Sequence, residues 1–163
     1  MIIKEKLHPD VLAWEVEMPD LGIDAENLDY KLQVDSLFGR LSTRFENKDS
    51  VLLKKIKNSL NIDYIKEKVP EYKEIDIKIF KDIPGFKLFP HEDVPYHKAF
   101  LMFNLTDNID STTFYDAEKK FLCKGQNKKY KGVFHILHTN PKIMHAIENT
   151  SDKNRYTAIA FIK

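Results

Sequence analysis

The sequence predicts an α+β fold that is mainly β, with helices in its N-terminal third. Before residue 60, apolar side chains recur at intervals of three and four residues, which is the period of an amphipathic helix. After residue 72, apolar and polar side chains alternate, which is typical of half-buried strands. Turn residues divide roughly the last 90 residues into seven short strands, and such a series indicates a sandwich or a barrel.

Three helices are predicted in the N-terminal region. The first covers residues 24–47, and the second covers residues 49–58, where Asp49 or Ser50 serves as the N-cap. The third covers residues 63–69 and ends before Pro70, because the residue that precedes a proline avoids the helical conformation. The apolar side chains of the first helix would be Leu28, Leu32, Val34, Leu37, Phe38, Leu41 and Phe45.

The predicted strands are separated by turn chemistry. Pro84 and Gly85 form one turn, and runs rich in Thr, Asn, Asp and Ser form the others. We therefore predict a single domain, 1–163, in which a helical region, 1–71, packs on a β core, 72–163. The strands are expected at 73–80, 86–89, 99–105, 111–115, 130–137, 143–148 and 155–162.

Composition excludes several classes of protein. The chain has 26 basic and 25 acidic residues, so its net charge of +1 gives no general attraction for nucleic acid. A single cysteine, Cys123, excludes an intrachain disulfide framework. No apolar run approaches the roughly 20 residues that cross a bilayer, and residues 1–6 lack the apolar core of a signal peptide. We expect a cytoplasmic protein that does not bind membranes.

Two histidines and one aspartate have the spacing of a metal site. His91 and Asp93 form a His-x-Asp pair at the end of a predicted strand, where residues i and i+2 point to the same side. His145 lies in another predicted strand, far enough along the chain for several strands to intervene. Two histidines and a carboxylate are the facial triad that binds Fe(II) and leaves positions open for a bidentate co-substrate and O2.

An arginine ten residues after His145 could bind an anionic co-substrate. Arg155 opens the last predicted strand, and Thr157 points to the same face. A guanidinium group matches a carboxylate with two parallel donors. Because the chain has three arginines in all, Arg155 is less expected there by chance. We predict that Arg155 and Thr157 hold the distal carboxylate of 2-oxoglutarate.

Together these motifs resemble the 2-oxoglutarate- and Fe(II)-dependent oxygenases, most closely their small prolyl-hydroxylase-like members. The resemblance covers residues 72–163 and implies a double-stranded β-helix, the cupin-like jelly roll. It also implies that Fe(II), 2-oxoglutarate and O2 are used to hydroxylate a C–H bond, with succinate and CO2 as products, and that His91, Asp93 and His145 are the catalytic metal ligands. The motifs are His91-Glu92-Asp93, residues 104–108, Asp110-Ser111-Thr112-Thr113-Phe114, Lys131-Gly132-Val133-Phe134, His145 and Arg155-Tyr156-Thr157.

The sequence departs from the family pattern at two places. Asp110 and Ser111 replace a usual pair of glycines. Asn104 stands where many relatives have a tyrosine that contacts 2-oxoglutarate, and the resemblance implies that Asn104 takes this role. The substrate stays open between a prolyl residue and a small metabolite.

Other reactive residues have simpler interpretations. His97 would lie near the metal, either as a solvated loop histidine or as a substrate contact. His135 and His138 are interpreted as structural or solvent-facing rather than as a zinc pair, because a spacing of three places them on opposite faces of a strand. The lysine-rich residues 119–131 are interpreted as a solvated loop, with a lid over the site as the alternative.

Two other functions stay open at this point. A cupin-like β-sandwich that binds a metal or ligand, without catalysis or with a different reaction, would not need Arg155. An oxygenase that acts on nucleic-acid bases would share the metal chemistry, but the neutral charge argues against it. The oligomeric state cannot be deduced from the sequence.

Overall fold

The computed structural model describes residues 1–32, 39–43 and 50–163. Within these residues the chain forms twelve strands, two α-helices and one 3-10 helix, Ala25–Asn27. The helices are α1 (Val51–Ser59) and α2 (Ile62–Lys68). The strands are β1 (Ile2–His8), β2 (Val11–Glu17), β3 (Tyr30–Leu32), β4 (Arg40–Thr43), β5 (Ile75–Asp82), β6 (Lys87–His91), β7 (Ala99–Asn104), β8 (Thr113–Tyr115), β9 (Phe121–Lys124), β10 (Lys131–Ile136), β11 (Met144–Glu148) and β12 (Arg155–Ile162).

The strands form two antiparallel sheets that face each other. The larger sheet has the order β1-β2-β10-β7-β12-β5-β4-β3, and the smaller has the order β6-β11-β8-β9. From β5 to β12 the chain passes repeatedly from one sheet to the other, which is the winding of a double-stranded β-helix. The predicted jelly roll is therefore confirmed.

Two apolar cores lie on opposite faces of the larger sheet. One is covered by the helices and includes Ile56 of α1 and Ile65 of α2. The other fills the space between the sheets. Strand β12 contributes alternately to both, with Ala158 on the helix side and Ile159 between the sheets, as a strand buried on two faces must.

The two short helices begin and end as their sequences predict. The Ser50 side chain accepts a hydrogen bond from the Leu53 amide, and the Asn61 side chain accepts one from the Tyr64 amide. Helix α2 ends immediately before Val69 and Pro70. The predictions for residues 49–58 and 63–69 are thus confirmed to within one or two residues.

The prediction of a long helix over residues 24–47 is wrong for the residues that the structure describes. Residues 30–32 and 40–43 form β3 and β4, which pair with each other, and β4 also pairs with β5. The predicted helix residues Val34, Leu37, Phe38 and Phe45 lie outside the described residues.

Strands β1 and β2 were not expected, so residues 1–71 contain more than helices. Strand β2 pairs with β10 at one side of the jelly roll, and β4 pairs with β5 at the other. Strand β9 lies within the lysine-rich segment that was predicted to be a loop, and it pairs with β8 at the edge of the smaller sheet. No helix in the described part of the chain is long and apolar enough to cross a membrane.

Candidate active site

The structure brings His91, Asp93 and His145 together between the two sheets. His91 ends β6 and pairs directly with His145 of β11. The Asp93 Oδ1 atom lies 3.5 Å from His91 Nε2 and 3.6 Å from His145 Nε2. One ligand atom from each residue lies within 4.8 Å of the other two. One metal ion can therefore be reached by all three side chains.

The chemistry of this donor set fits a divalent metal. Burial lowers the pKa of His145 to about 3, which keeps its imidazole neutral and able to donate a lone pair. Although burial opposes ionisation of Asp93, the interaction with His91 and the nearby histidines hold the pKa of Asp93 below its usual value. The site thus offers two imidazole side chains and one carboxylate, which is a donor set that binds Fe(II).

A backbone carbonyl fixes the orientation of His91. The His91 Nδ1 atom lies 2.8 Å from the Phe89 carbonyl oxygen, so Nδ1–H donates and Nε2 carries the lone pair toward the metal position. Burial lowers the pKa of His91, but its interactions with Asp93 and with this carbonyl outweigh burial and leave the pKa raised.

Arg155 is buried, and only part of its guanidinium group is hydrogen-bonded to the described residues. Its side chain is 1% exposed, and its Nη1 atom donates to Asp82 Oδ2 over 3.1 Å. Among the described residues, no hydrogen-bond partner is present for Arg155 Nε, for Arg155 Nη2 or for the Thr157 hydroxyl. Buried donors without partners are costly, so this group is a place where an anionic ligand would be stabilised.

A second arginine completes the same cluster, and sequence reasoning missed it. Arg40 donates from Nε to Asp82 Oδ1 over 2.6 Å and from Nη2 to Asp82 Oδ2 over 2.8 Å. Its guanidinium carbon lies 4.6 Å from the Phe80 ring centre and 4.5 Å from the Phe86 ring centre. Two guanidinium groups thus share one fully buried carboxylate. The rarity of arginine was the one available sequence signal.

The Asn104 side chain forms three hydrogen bonds within the protein. Its Nδ2 atom donates to the carbonyl oxygens of Gln126 and Lys131, each over 2.9 Å, and its Oδ1 atom accepts from Asn108 over 2.8 Å. Both amide hydrogens are therefore engaged, and none remains for 2-oxoglutarate. The side chain instead ties β7 to the chain segment that precedes β10.

The remaining histidines take different places. His97 is 12% exposed and lies next to Asp93, so it is not a solvated loop residue. His135 is fully buried between the sheets, with its ring centre 6.0 Å from that of His145. His138 is exposed and interacts with Val94 O and Glu92.

Comparison with solved structures gives the same fold. A Pseudomonas putida prolyl-4-hydroxylase matches with a TM-score of 0.68 and 9% identity, covering 94% of this chain and 93% of that one. The viral collagen prolyl hydroxylase of Paramecium bursaria Chlorella virus-1, in its 2OG complex, matches with a TM-score of 0.54 and 16% identity, covering 76% and 79%.

A third structure is similar over most of the chain. It is a Trichoplax adhaerens prolyl hydroxylase in complex with a peptide fragment of the hypoxia inducible factor oxygen degradation domain, with a TM-score of 0.58 and 14% identity, covering 80% of this chain and 66% of that one. No protein-family model and no curated protein matches the sequence. At these identities the likeness establishes the jelly-roll fold, and it supports the resemblance found in the sequence.

Proposed function

We propose that this protein is a 2-oxoglutarate- and Fe(II)-dependent dioxygenase that hydroxylates a C–H bond. The observation that carries the proposal is the presence, inside one jelly roll, of a His-Asp-His group and of a buried arginine with two donors that have no partner among the described residues. The fold that the chain shares with prolyl hydroxylases supports it.

His91 Nε2, Asp93 Oδ1 and His145 Nε2 would hold the metal. Bound Fe(II) supplies the oxidative chemistry in which O2 and 2-oxoglutarate are consumed, a C–H bond is hydroxylated, and succinate and CO2 are released. The protein contributes orientation, because the Phe89 carbonyl sets the His91 tautomer and the sheets fix the pairing of His91 with His145.

Arg155 would bind the distal carboxylate of 2-oxoglutarate. Its Nε and Nη2 donors and the Thr157 hydroxyl are buried on the same face of β12, so a carboxylate there would give all of them a partner. A carboxylate there would also place a negative charge beside the buried Arg155 guanidinium group. It would explain why an arginine whose Nε and Nη2 atoms have no partner among the described residues is tolerated in the interior.

Apolar side chains keep bulk water away from the reacting groups. The Phe100 ring centre lies 4.9 Å from that of His145, and Ile159 and Phe80 belong to the same inter-sheet core. Water exclusion strengthens the charge interactions of Asp93 and Arg155 and limits side reactions.

For the substrate we propose a prolyl residue of a peptide, with a small metabolite as the alternative. Two observations support the first choice: the likeness to prolyl hydroxylases, and the peptide fragment bound in the Trichoplax protein. A cupin-like binding module without this reaction is less favoured, because it gives no role to the unpaired donors of Arg155.

The test is an anaerobic titration of 2-oxoglutarate into the Fe(II)-loaded protein, followed by the weak visible metal-to-ligand charge-transfer band. We expect a band that saturates, that is lost in Asp93→Ala, and that needs more 2-oxoglutarate in Arg155→Ala. Lys153→Ala, at an exposed position near Arg155, is the control and should titrate like the wild type. A folded, iron-loaded wild type that gives no band would contradict the proposal and favour the binding module.

A further inference from the structure

We infer that His97 is a positioning residue that holds Asp93 as a one-oxygen ligand of the metal. The inference rests on the proposed function, since it concerns the same metal site. In this role the His97 side chain contacts the second carboxylate oxygen of Asp93, rather than solvent or the substrate.

The two oxygens of Asp93 face different partners. Oδ1 faces the Nε2 atoms of His91 and His145, at 3.5 and 3.6 Å, and is therefore the oxygen nearest the metal position. Oδ2 faces His97 Nδ1 at 3.7 Å. A shortening of about 0.7 Å would make this contact an ordinary hydrogen bond, with Nδ1–H as the donor.

In the described part of the chain, His97 Nδ1 has no other hydrogen-bond acceptor. Its Nδ1 atom is buried and has no hydrogen-bond partner there. The ring stacks on Phe161 with a centroid distance of 4.5 Å and an interplanar angle of 23°, and the Tyr96 ring contacts it edge-on at 4.7 Å. The His97 amide also donates to the Val94 carbonyl over 3.0 Å, which folds the segment back toward Asp93.

The consequence concerns the number of free metal positions. An octahedral Fe(II) with three protein ligands has three positions left, which a bidentate co-substrate and O2 fill. If Asp93 bound through both oxygens, it would occupy one of these positions. A hydrogen bond from His97 to Oδ2 removes that oxygen from the metal and so preserves the open site.

The experiment measures Co(II) binding, by calorimetry and by the visible d–d absorption spectrum, which responds to coordination number. His97→Phe keeps an aromatic ring to stack on Phe161 but removes the donor. His97→Asn places an amide nitrogen near the position of Nδ1 and so retains the donor. His8→Phe, at the end of β1 and outside the group formed by His91, Asp93 and His145, controls for the loss of a histidine.

We expect His97→Phe to weaken Co(II) binding by about 10–100-fold and to change the d–d spectrum. His97→Asn should recover most of the affinity and the wild-type spectrum, and His8→Phe should match the wild type. Circular dichroism and thermal unfolding would establish that each variant is folded.

Three outcomes would overturn the inference. Wild-type binding and spectrum in His97→Phe would show that the donor is not needed. Equal losses in His97→Phe and His97→Asn would show that a donor near the Nδ1 position does not preserve the site, and so that the hydrogen bond to Oδ2 is not the function of His97. A wild type that does not bind Co(II) would overturn the metal site itself, and the proposed function with it, so the two failures can be told apart.

Discussion

At the scale of single residues, the most consequential side chain outside the metal site is Asp82. It is fully buried, and it pairs with the guanidinium groups of both Arg40 and Arg155. Neither arginine could be buried so close to the other without it, because two like charges in the interior repel and are poorly solvated. Asp82 therefore supports the proposed 2-oxoglutarate site without touching the ligand.

We predict that Asp82→Asn lowers the free energy of unfolding by about 3–5 kcal/mol, because it leaves two buried cations facing a neutral amide. Urea unfolding followed by circular dichroism measures the change. Asp152→Asn, at an exposed position, is the control and should have little effect. Equal stability of the two variants would show that the cluster does not depend on its carboxylate.

Cys123 provides a prediction about pH. Burial raises the pKa of its thiol to about 11, so the thiol of the folded protein stays protonated where an unfolded one, with a pKa near 8.5, begins to ionise. The alkylation rate with iodoacetamide should therefore rise tenfold per pH unit from pH 8 to pH 10 in the folded protein. In urea the rate should level off above about pH 9, and a native rate that levels off there too would contradict the prediction.

The grouping of His91, Asp93 and His145 could be predicted from the sequence because local geometry sets the spacing of such residues. His91 and Asp93 are i and i+2 near the end of a strand, and His145 and Arg155 lie on successive strands of the jelly roll. Arg40 and Asp82 could not be paired in advance. Their contact depends on the register of β4 on β5, and β4 was itself predicted to be helix.

At the scale of elements, the errors come from patterns that fit two periods. The apolar residues between 24 and 47 satisfy a helical spacing. In the structure, however, Tyr30–Leu32 forms the short strand β3, which pairs with β4. The two helices with clear caps, α1 and α2, were predicted correctly because their ends are determined by adjacent side chains. Strand β9 is short and edge-placed, so its alternation is too brief to be recognised.

Strand β10 carries a prediction about packing. Gly132 pairs with Val16 of β2 and with Phe103 of β7, and a Cβ there would lie 1.9 Å from the Met102 carbonyl oxygen. We predict that Gly132→Ala lowers the free energy of unfolding by about 3 kcal/mol or more, since neighbouring backbone would have to move.

Gly125→Ala is the matched control for this substitution. At Gly125 the nearest atoms to a Cβ would be 3.8 Å away, which is ordinary contact. Denaturant unfolding of both variants measures the difference. A Gly132→Ala protein as stable as Gly125→Ala would show that the three strands are farther apart at this point than the structure indicates.

At the scale of the whole molecule, His135 couples stability to pH. Burial lowers the pKa of His135 to about 4, whereas a histidine in the unfolded chain has a pKa near 6.5. Between these values the unfolded state binds the additional proton. The free energy of unfolding must therefore fall as the pH falls from about 6.5 to about 4, by up to about 1.4 kcal/mol per pH unit.

His135→Phe removes one titrating group and should make this dependence shallower by the share of His135, whatever its effect on stability at neutral pH; the share of His145, whose pKa is also lowered by burial, remains. Urea unfolding of the metal-free protein at several pH values between 4.5 and 7 measures the slope. Parallel curves for the wild type and His135→Phe would show that His135 is protonated as readily in the folded state as in the unfolded one.

The two sides of the larger sheet also determine the order in which the protein can fold. Strand β2 pairs with β10, so that Glu17 lies opposite Lys131, which is far away along the sequence. Strand β4 instead pairs with β5, which is much closer along the sequence. During synthesis β2 and its hairpin partner β1 have no sheet to join until β10 has left the ribosome. Closing so long a loop slows folding, and until it closes, the flank of β10 stays exposed to strands of other molecules.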